Sequence, residues 1–334
     1  MERTMKFLIA GLGSIGRRHL RNLRTLGQQD ILLYRTHQAT LPDAELDGFP
    51  AFSELSLALA QKPDGVIVAN PTALHLEVAI ASAKAGAALL IEKPVSSGLA
   101  GLDELKSALN TSGKPALVGF HFRFHPVLNQ IKTLLESGQL GKPLSARAHW
   151  GEYLPDWHPW EDYRRSYAAR AELGGGVVNT LSHPLDYLRW LLGEVESVNA
   201  WTGRLSSLEL DVEDNAEILL RFANGTEASL HLDYYQRPPS HTLEITCEEG
   251  RVYWDNASGE ARVYRASAES PVLLVPPEGF DRNQMFLDEM AAFLRLCGGE
   301  NLPHCTLADG IRVQEIVQAV KQSAAQEGRM VRLG

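Results

Sequence analysis

Phe7-Leu8-Ile9-Ala10-Gly11-Leu12-Gly13-Ser14-Ile15-Gly16 is the stretch that decides the fold. Four apolar residues without a polar break suit a strand buried on both faces of a parallel sheet. The glycines that follow are spaced G-x-G-x-x-G. Behind them Ile15, Leu20, Leu23 and Leu26 keep helical spacing until Gly27 stops the run. A strand, a glycine turn and a helix in this order form a dinucleotide-binding unit, whereas the same glycines elsewhere are only a turn. Gly11 permits the tight turn, Gly13 admits a pyrophosphate to the backbone, and Gly16 lets helix and strand close up. Ser14 and Ile15 open the helix, whose free N–H groups face the phosphates.

The same alternation continues outward. The next strand, Asp30–Tyr34, runs into Arg35, Thr36 and His37 rather than the acid that usually accepts from the ribose of NAD. A cation beside a hydroxyl suits a 2′-phosphate, so Arg35 and Thr36 point to NADP over NAD; the alternative is an exposed arginine with no ligand. After a helix near Ser53–Gln61, the buried strand Val66–Ala69 ends at Asn70-Pro71-Thr72, with Thr72 expected to cap a helix running to Gly86. Asn70 and Pro71 fall at the sheet edge where a cofactor lies. His75, in the first turn, either faces that cofactor or fills the strand–helix junction. Ala88–Ile91 then delivers Glu92-Lys93-Pro94 to the carboxyl edge, where open α/β sheets bind ligands. Alone, that tripeptide is an ordinary solvated turn. A helix over Gly101–Asn110 and a strand over Ala116–Gly119 complete an α/β domain with a doubly wound parallel sheet, residues 1–122.

Phe-His-Phe-Arg-Phe-His-Pro at Phe120–Pro126 reads as the crossing into a second domain, residues 123–334. A helix carrying Leu128, Ile131, Leu134 and Leu135 opens it, and strand-like segments follow at Leu144–Tyr153, Val195–Gly203, Asn215–Phe222, Thr226–Tyr234, Thr242–Cys247 and Arg251–Trp254. Asn224-Gly225 is a strong hairpin signal and Glu249-Gly250 a weaker one, which predicts an α+β domain with a large mixed, mainly antiparallel sheet. Gly174-Gly175-Gly176 leads into helical spacing over Val177–Leu192, with His183, Pro184 and Asp186 inside it. Two helices, near Arg282–Leu296 and Thr306–Gln326, end the chain.

A chain of 334 residues accommodates two domains, and its 44% hydrophobic and 22% charged residues are those of a globular protein. A formal net charge of −9 argues against coating nucleic acid. Cys247, Cys297 and Cys305 are too scattered for a disulfide framework or a zinc site. His121 and His125 stand at i,i+4, but no glutamate or cysteine cluster accompanies them, so no metal is expected. Met1–Lys6 leads straight into a strand without a signal segment, and no apolar run reaches membrane length, so a soluble cytoplasmic protein is expected.

Together these pieces resemble the Gfo/Idh/MocA oxidoreductases (glucose–fructose oxidoreductase, inositol dehydrogenase and relatives) over nearly the whole chain. The resemblance rests on Gly11–Gly16, on Glu92-Lys93-Pro94, on Phe122–Pro126, and on Gly174–Gly176 followed by His183-Pro184-Leu185-Asp186. Tyr153-Leu154-Pro155-Asp156-Trp157 and Asp162-Tyr163-Arg164 resemble the branch of bacterial surface-sugar and polyol pathways. The family implies a Rossmann domain joined to a domain whose large sheet borders substrate and commonly forms a homodimer or homotetramer interface. It implies a catalytic Lys93, with a Lys93–Pro94 peptide often cis, and a proton-handling His183 oriented by Asp186. Glu92, Lys93, Pro94 and Arg123 join the expected cofactor set. The family's usual aspartate is missing: counting back from His183 lands on Asn179, counting forward from the glycines on Thr180.

Hydride transfer at a secondary alcohol needs a nicotinamide, a proton acceptor and a group that stabilises the alkoxide. His183 suits the acceptor and Lys93, as an ammonium, the stabiliser. The expected substrate is a sugar, sugar derivative or cyclitol, met by Tyr153, Trp157, Arg164, Tyr167 and Asn179. Arg164 and Arg165 either bind an anionic group of the substrate or pair with Glu161 and Asp162. Two other readings share this sequence: a cofactor-retaining glycoside-cleaving enzyme, and a non-catalytic NAD(P)-binding sensor or scaffold.

Overall fold

The structure is a computed structural model that describes residues 5–36, 41–302 and 305–334; His37 lies outside the described residues. In chain order the first elements are β1 (Lys6–Ala10), α1 (Ser14–Thr25), β2 (Asp30–Tyr34), β3 (Ala51–Phe52), α2 (Leu55–Leu59), β4 (Gly65–Val68), α3 (His75–Lys84), β5 (Ala88–Glu92), α4 (Leu102–Ser112) and β6 (Ala116–Gly119). There follow α5 (Pro126–Glu136), β7 (Pro143–Tyr153), α6 (Val177–Thr180), α7 (His183–Leu192), β8 (Val195–Gly203), β9 (Asn215–Phe222), β10 (Glu227–Asp233) and β11 (Tyr235–Cys247). The last are β12 (Gly250–Asp255), β13 (Glu260–Arg265), β14 (Val272–Leu274), α8 (Arg282–Cys297), α9 (Leu307–Ala325) and β15 (Val331–Arg332).

The chain divides into two compact units, residues 1–121 with 282–311 and residues 122–281 with 312–334. In the first, six parallel strands lie in the order β3-β2-β1-β4-β5-β6. Every residue of β4, β5 and β6 is buried, which is why these strands read as unbroken apolar runs. The strand order reverses between β1 and β4, so the glycine loop and Asn70-Pro71 flank the switch point where such sheets bind ligands.

A linear division at residue 122 places Arg282–Ile311 in the second domain, and the structure corrects this. Phe293 of α8 meets Phe7 with ring centroids 6.2 Å apart, Cys305 O accepts from Val118 N at 2.9 Å, and Thr306 bridges Leu117. The apolar face of α8 thus covers the first sheet. Thr72 does not cap α3 either: Thr72–Leu74 form a 3₁₀ turn, and α3 starts at His75.

The second unit holds a nine-stranded sheet in the order β14-β13-β12-β11-β7-β10-β9-β8-β15. It is antiparallel except where β10 runs parallel to β7. Asn224-Gly225 closes the β9–β10 hairpin with Gly225 at φ 87°, and Cys247 pairs with Gly250 across the β11–β12 turn. Along β9 buried and exposed residues alternate, as expected for a sheet with one covered face. The covered side builds an aromatic core on Phe122, Trp150, Tyr187, His241 and Trp254, in which the Trp150 and His241 rings stack at 4.2 Å. The helical run over Val177–Leu192 is broken: α6 ends at Thr180 and α7 begins at His183.

Candidate active site

In the first unit the glycines divide the labour the sequence implied. A Cβ on Gly16 would meet Gly11 O at 1.9 Å and one on Gly11, whose φ is 96°, would meet Asn70 N at 2.4 Å, so both positions are closed by backbone. A Cβ on Gly13 would meet nothing within 4 Å. Open space over the middle glycine, at the uncapped start of α1, is the cradle a pyrophosphate requires, and the residues fit a bound dinucleotide.

Glu92-Lys93-Pro94 stands at the carboxyl end of the buried β5, and the Lys93–Pro94 peptide is cis. The Glu92 carboxylate turns inward: Oε1 lies 2.7 Å from His19 Nε2 and Oε2 accepts from Lys93 N at 3.2 Å. Burial acts to raise the Glu92 pKa, but the His19 hydrogen bond and nearby positive charge outweigh it and hold the carboxyl below its usual range. Glu289 of α8 lies in the same cluster, fully buried, with both oxygens unpartnered among the described residues. Burial and the Glu92 charge push its pKa well up, which favours the neutral acid.

His75 is 2% exposed and braces two loops, its Nδ1 3.0 Å from Pro94 O and its Nε2 2.9 Å from Asn70 O. Burial lowers its pKa, and a neutral ring donates to one carbonyl at a time. The histidine supports the edge instead of presenting a free nitrogen to it. Asn70 donates to Leu74 O at 3.0 Å, and its buried Oδ1 has no partner among the described residues. His121 stacks on Phe286 at 4.1 Å. Its pKa is well below the usual value, first through burial and then through the positive charges of Arg282, Lys93 and Arg18.

At the edge of β2 Thr36 is exposed, while Arg35 Nη2 donates to Asp43 at 2.7 and 2.9 Å. The sequence singled out Arg35 but missed Asp43, which stands nine residues beyond Tyr34 in a 3₁₀ turn over Asp43–Leu46.

In the second unit His183 opens α7, 2% exposed, edge-on to Phe122 at 5.0 Å. Asp186 accepts a two-pronged bond from Arg123, with Nη2 at 2.7 Å and Nε at 2.9 Å. The carboxylate expected to orient His183 thus also holds Arg123, 63 residues earlier in the chain. Asn179 is also committed, donating to Gly174 O at 2.9 Å and Gly175 O at 3.2 Å and accepting from Lys321 Nζ at 3.1 Å. Its amide holds the glycine turn in shape. Thr180 is 3% exposed.

The remaining substrate candidates separate. Trp157 stands edge-on to the fully buried Tyr234 at 5.6 Å, and its buried Nε1 has no partner among the described residues. Tyr167 lies half-buried in a neighbouring 3₁₀ turn. The ring of Tyr153 is covered by Arg237 at 4.0 Å. Arg164 is exposed and pairs with Asp162 at 2.8 Å, one of the partners in the ion-pair alternative, and with Glu209 at 2.7 Å. These carboxylates raise its pKa, and Arg164 in turn lowers that of Asp162.

The sequence also missed Lys321 and Glu213. Burial lowers the lysine's pKa and raises the glutamate's. A lysine following buried Val320 in the long α9 was the available signal.

A second group of metal-capable side chains, His149, His231 and Asp233, lies on the second sheet. His231 is clamped between Asp233 and Glu217, which raise its pKa and favour a protonated ring with no lone pair to offer. No described helix is long and apolar enough to cross a membrane.

Residues 5–120 match the model of an oxidoreductase family with an NAD-binding Rossmann fold, and residues 128–253 match the GFO/IDH/MocA C-terminal domain. The chain is 28% identical over 364 residues to myo-inositol 2-dehydrogenase of Thermotoga maritima, covering 98% of each. It is 28% identical over 309 residues to levoglucosan dehydrogenase of Pseudarthrobacter phenanthrenivorans, covering 78% of each. A solved levoglucosan dehydrogenase in complex with NADH and levoglucosan shares the fold, with a TM-score of 0.86, 22% identity and 99% of each chain covered.

Proposed function

The chain belongs to the GFO/IDH/MocA oxidoreductase family, matched in both its NAD-binding and its C-terminal parts, and on that premise we propose that it is an NAD(P)-dependent dehydrogenase or reductase of a sugar, sugar derivative or cyclitol. The observation that carries this reading is the glycine cradle: backbone closes Gly11 and Gly16 and leaves Gly13 open, with Lys93 at the edge of the same sheet. Relatives named for inositol and levoglucosan support the substrate class.

When bound, the nicotinamide exchanges a hydride with the carbon that bears the secondary hydroxyl. The protein's own residues handle the rest. His183 takes the hydroxyl proton on oxidation and returns it on reduction. The Lys93 ammonium stabilises negative charge on the oxygen. Trp157 and Tyr167 meet the remaining hydroxyls, the Trp157 Nε1 being a donor without a partner among the described residues. Asp186, Arg123 and Asn179 keep the α6–α7 region in place.

The NADP expectation from Arg35 and Thr36 weakens once Asp43 holds Arg35, because a 2′-phosphate would have to displace a carboxylate. Self-association as a dimer or tetramer belongs to the second sheet, where Leu219 and Trp201 are exposed on a face with Glu217. A cytoplasmic setting agrees with three free cysteines.

Absorbance screening of sugars and polyols with both NAD and NADP tests the activity. Lys93→Ala and His183→Ala should each lose about 10²–10⁴-fold in turnover while the dinucleotide still binds. Wild-type turnover in either variant removes that residue from the reaction. Product formation without net cofactor change transfers the protein to the glycoside-cleaving reading, and binding without turnover to the sensor reading.

A further inference from the structure

We propose that Asp43 selects the cofactor, accepting from the adenosine ribose hydroxyls of NAD(H) and excluding the 2′-phosphate of NADP(H); this rests on the dinucleotide-binding reading above. The placement begins at Tyr34, the last residue of β2, whose carbonyl accepts from Gly11 N at 3.1 Å. Arg35, next in the chain, therefore stands beside the first glycine. In a dinucleotide-binding sheet this edge reads the ribose: an acid there accepts from the hydroxyls, and a cation accommodates a 2′-phosphate.

The tip of β2 supplies no acid, and the chain brings one back from further along. Arg17, directly after Gly16, is 4% exposed. Its Nε donates to Leu12 O inside the glycine loop at 2.9 Å, its Nη1 to Pro42 O at 2.6 Å and its Nη2 to Leu41 O at 3.1 Å. One buried guanidinium thus fastens the segment before Asp43 to the phosphate-binding loop. Asp43 in turn meets both Arg35 Nη2 and, at 3.7 Å, Arg17 Nη2.

Exposure separates the partners. The Arg35 side chain is 10% exposed and that of Asp43 53%, so a buried cation holds an outward-facing carboxylate. Arg35 Nε is buried and has no partner among the described residues, which leaves a donor for a ribose oxygen. Glu45, two residues on, lies 3.8 Å from Arg17 and adds a second negative charge. A phosphate carrying about −1.5 to −2 charges, set beside these carboxylates, is repelled, and the cation that would receive it is already engaged. Ribose hydroxyls carry no such penalty and can donate to the carboxylate.

Isothermal titration of the intact protein with NADH and with NADPH tests this without turnover. The wild type should bind NADH at least about tenfold tighter than NADPH. Asp43→Asn removes the charge and frees Arg35, so NADPH should tighten by about tenfold and NADH weaken a few-fold. Adding Arg35→Ala to Asp43→Asn should undo most of the NADPH gain, with circular dichroism confirming that both variants are folded. A wild type that prefers NADPH, or an NADH/NADPH ratio moved less than about twofold by Asp43→Asn, overturns the assignment. A protein that binds neither dinucleotide overturns the cofactor reading itself, whereas one that binds both with an unmoved ratio overturns only the role of Asp43.

Discussion

Lowering the pH from 7 to 5 should remove about 2 kcal/mol from the stability of the second unit through His125 alone. His125 caps α5, its Nδ1 accepting from Val127 N at 3.2 Å and Leu128 N at 3.4 Å, so that nitrogen carries no proton. The ring is 1% exposed, edge-on to Trp254 at 5.3 Å and Phe280 at 5.4 Å. Burial pushes its pKa down to about 4, against 6.5 for an unperturbed histidine. Between those values the unfolded chain takes up a proton that the folded one refuses, and stability falls as pH falls. The contribution is complete above 6.5 and is lost progressively towards 4. His125→Asn keeps a capping oxygen but has no titrating ring. At pH 7 it should cost about 2 kcal/mol, for two edge-on aromatic contacts at ~0.5–1.5 each and lost packing. At pH 5 the wild type has lost a similar amount, and the two proteins should unfold at nearly the same urea concentration. All six tryptophans lie between Trp150 and Trp254, so intrinsic fluorescence follows this unit specifically. A wild-type advantage of the same size at both pH values would falsify the coupling of cap and protonation.

Two further outcomes follow from the second unit's buried polar contacts. Arg123→Ala leaves the 1% exposed Asp186 carboxylate without its guanidinium and should cost about 3–5 kcal/mol in the same urea titration, part of which Arg123→Met/Asp186→Leu recovers; a loss under about 1 kcal/mol would show that the pair is not desolvated. Asn179→Ala should cost about 2 kcal/mol and leave KM for the sugar within about twofold, since its amide holds the Gly174 and Gly175 carbonyls. A raised KM at unchanged stability would return Asn179 to the substrate.

Several features were legible because their signals are local. The glycine loop, the buried strands and the Asn224-Gly225 hairpin are each set by periodicity or backbone freedom within a short segment. Glu260–Arg265 was missed although Ala261 and Val263 alternate with polar neighbours; the other strand segments missed carry little of either signal. Val272–Leu274 and Val331–Arg332 are too short to show alternation, and Tyr235–Gln236-Arg237-Pro238-Pro239 begins β11 in polar and proline residues that periodicity does not mark as strand. The break at Leu181-Ser182 escaped because apolar spacing continues across it.

By itself the amino-acid order determined two architectures, a glycine cradle for a dinucleotide and a lysine delivered to the edge of its sheet. Only the tertiary structure decided what the candidate polar groups are attached to. Asp186 turned to Arg123 across 63 residues, Asn179 to Lys321 across 142, and Arg282–Ile311 returned to a sheet begun at Lys6. Asp43, unremarkable in sequence, became an acid held against Arg35, in a segment whose Leu41 and Pro42 carbonyls Arg17 fastens. Periodicity reports which face of an element is buried, but a charged or amide side chain takes the best-placed buried partner, and that partner is chosen by packing between elements far apart in the chain.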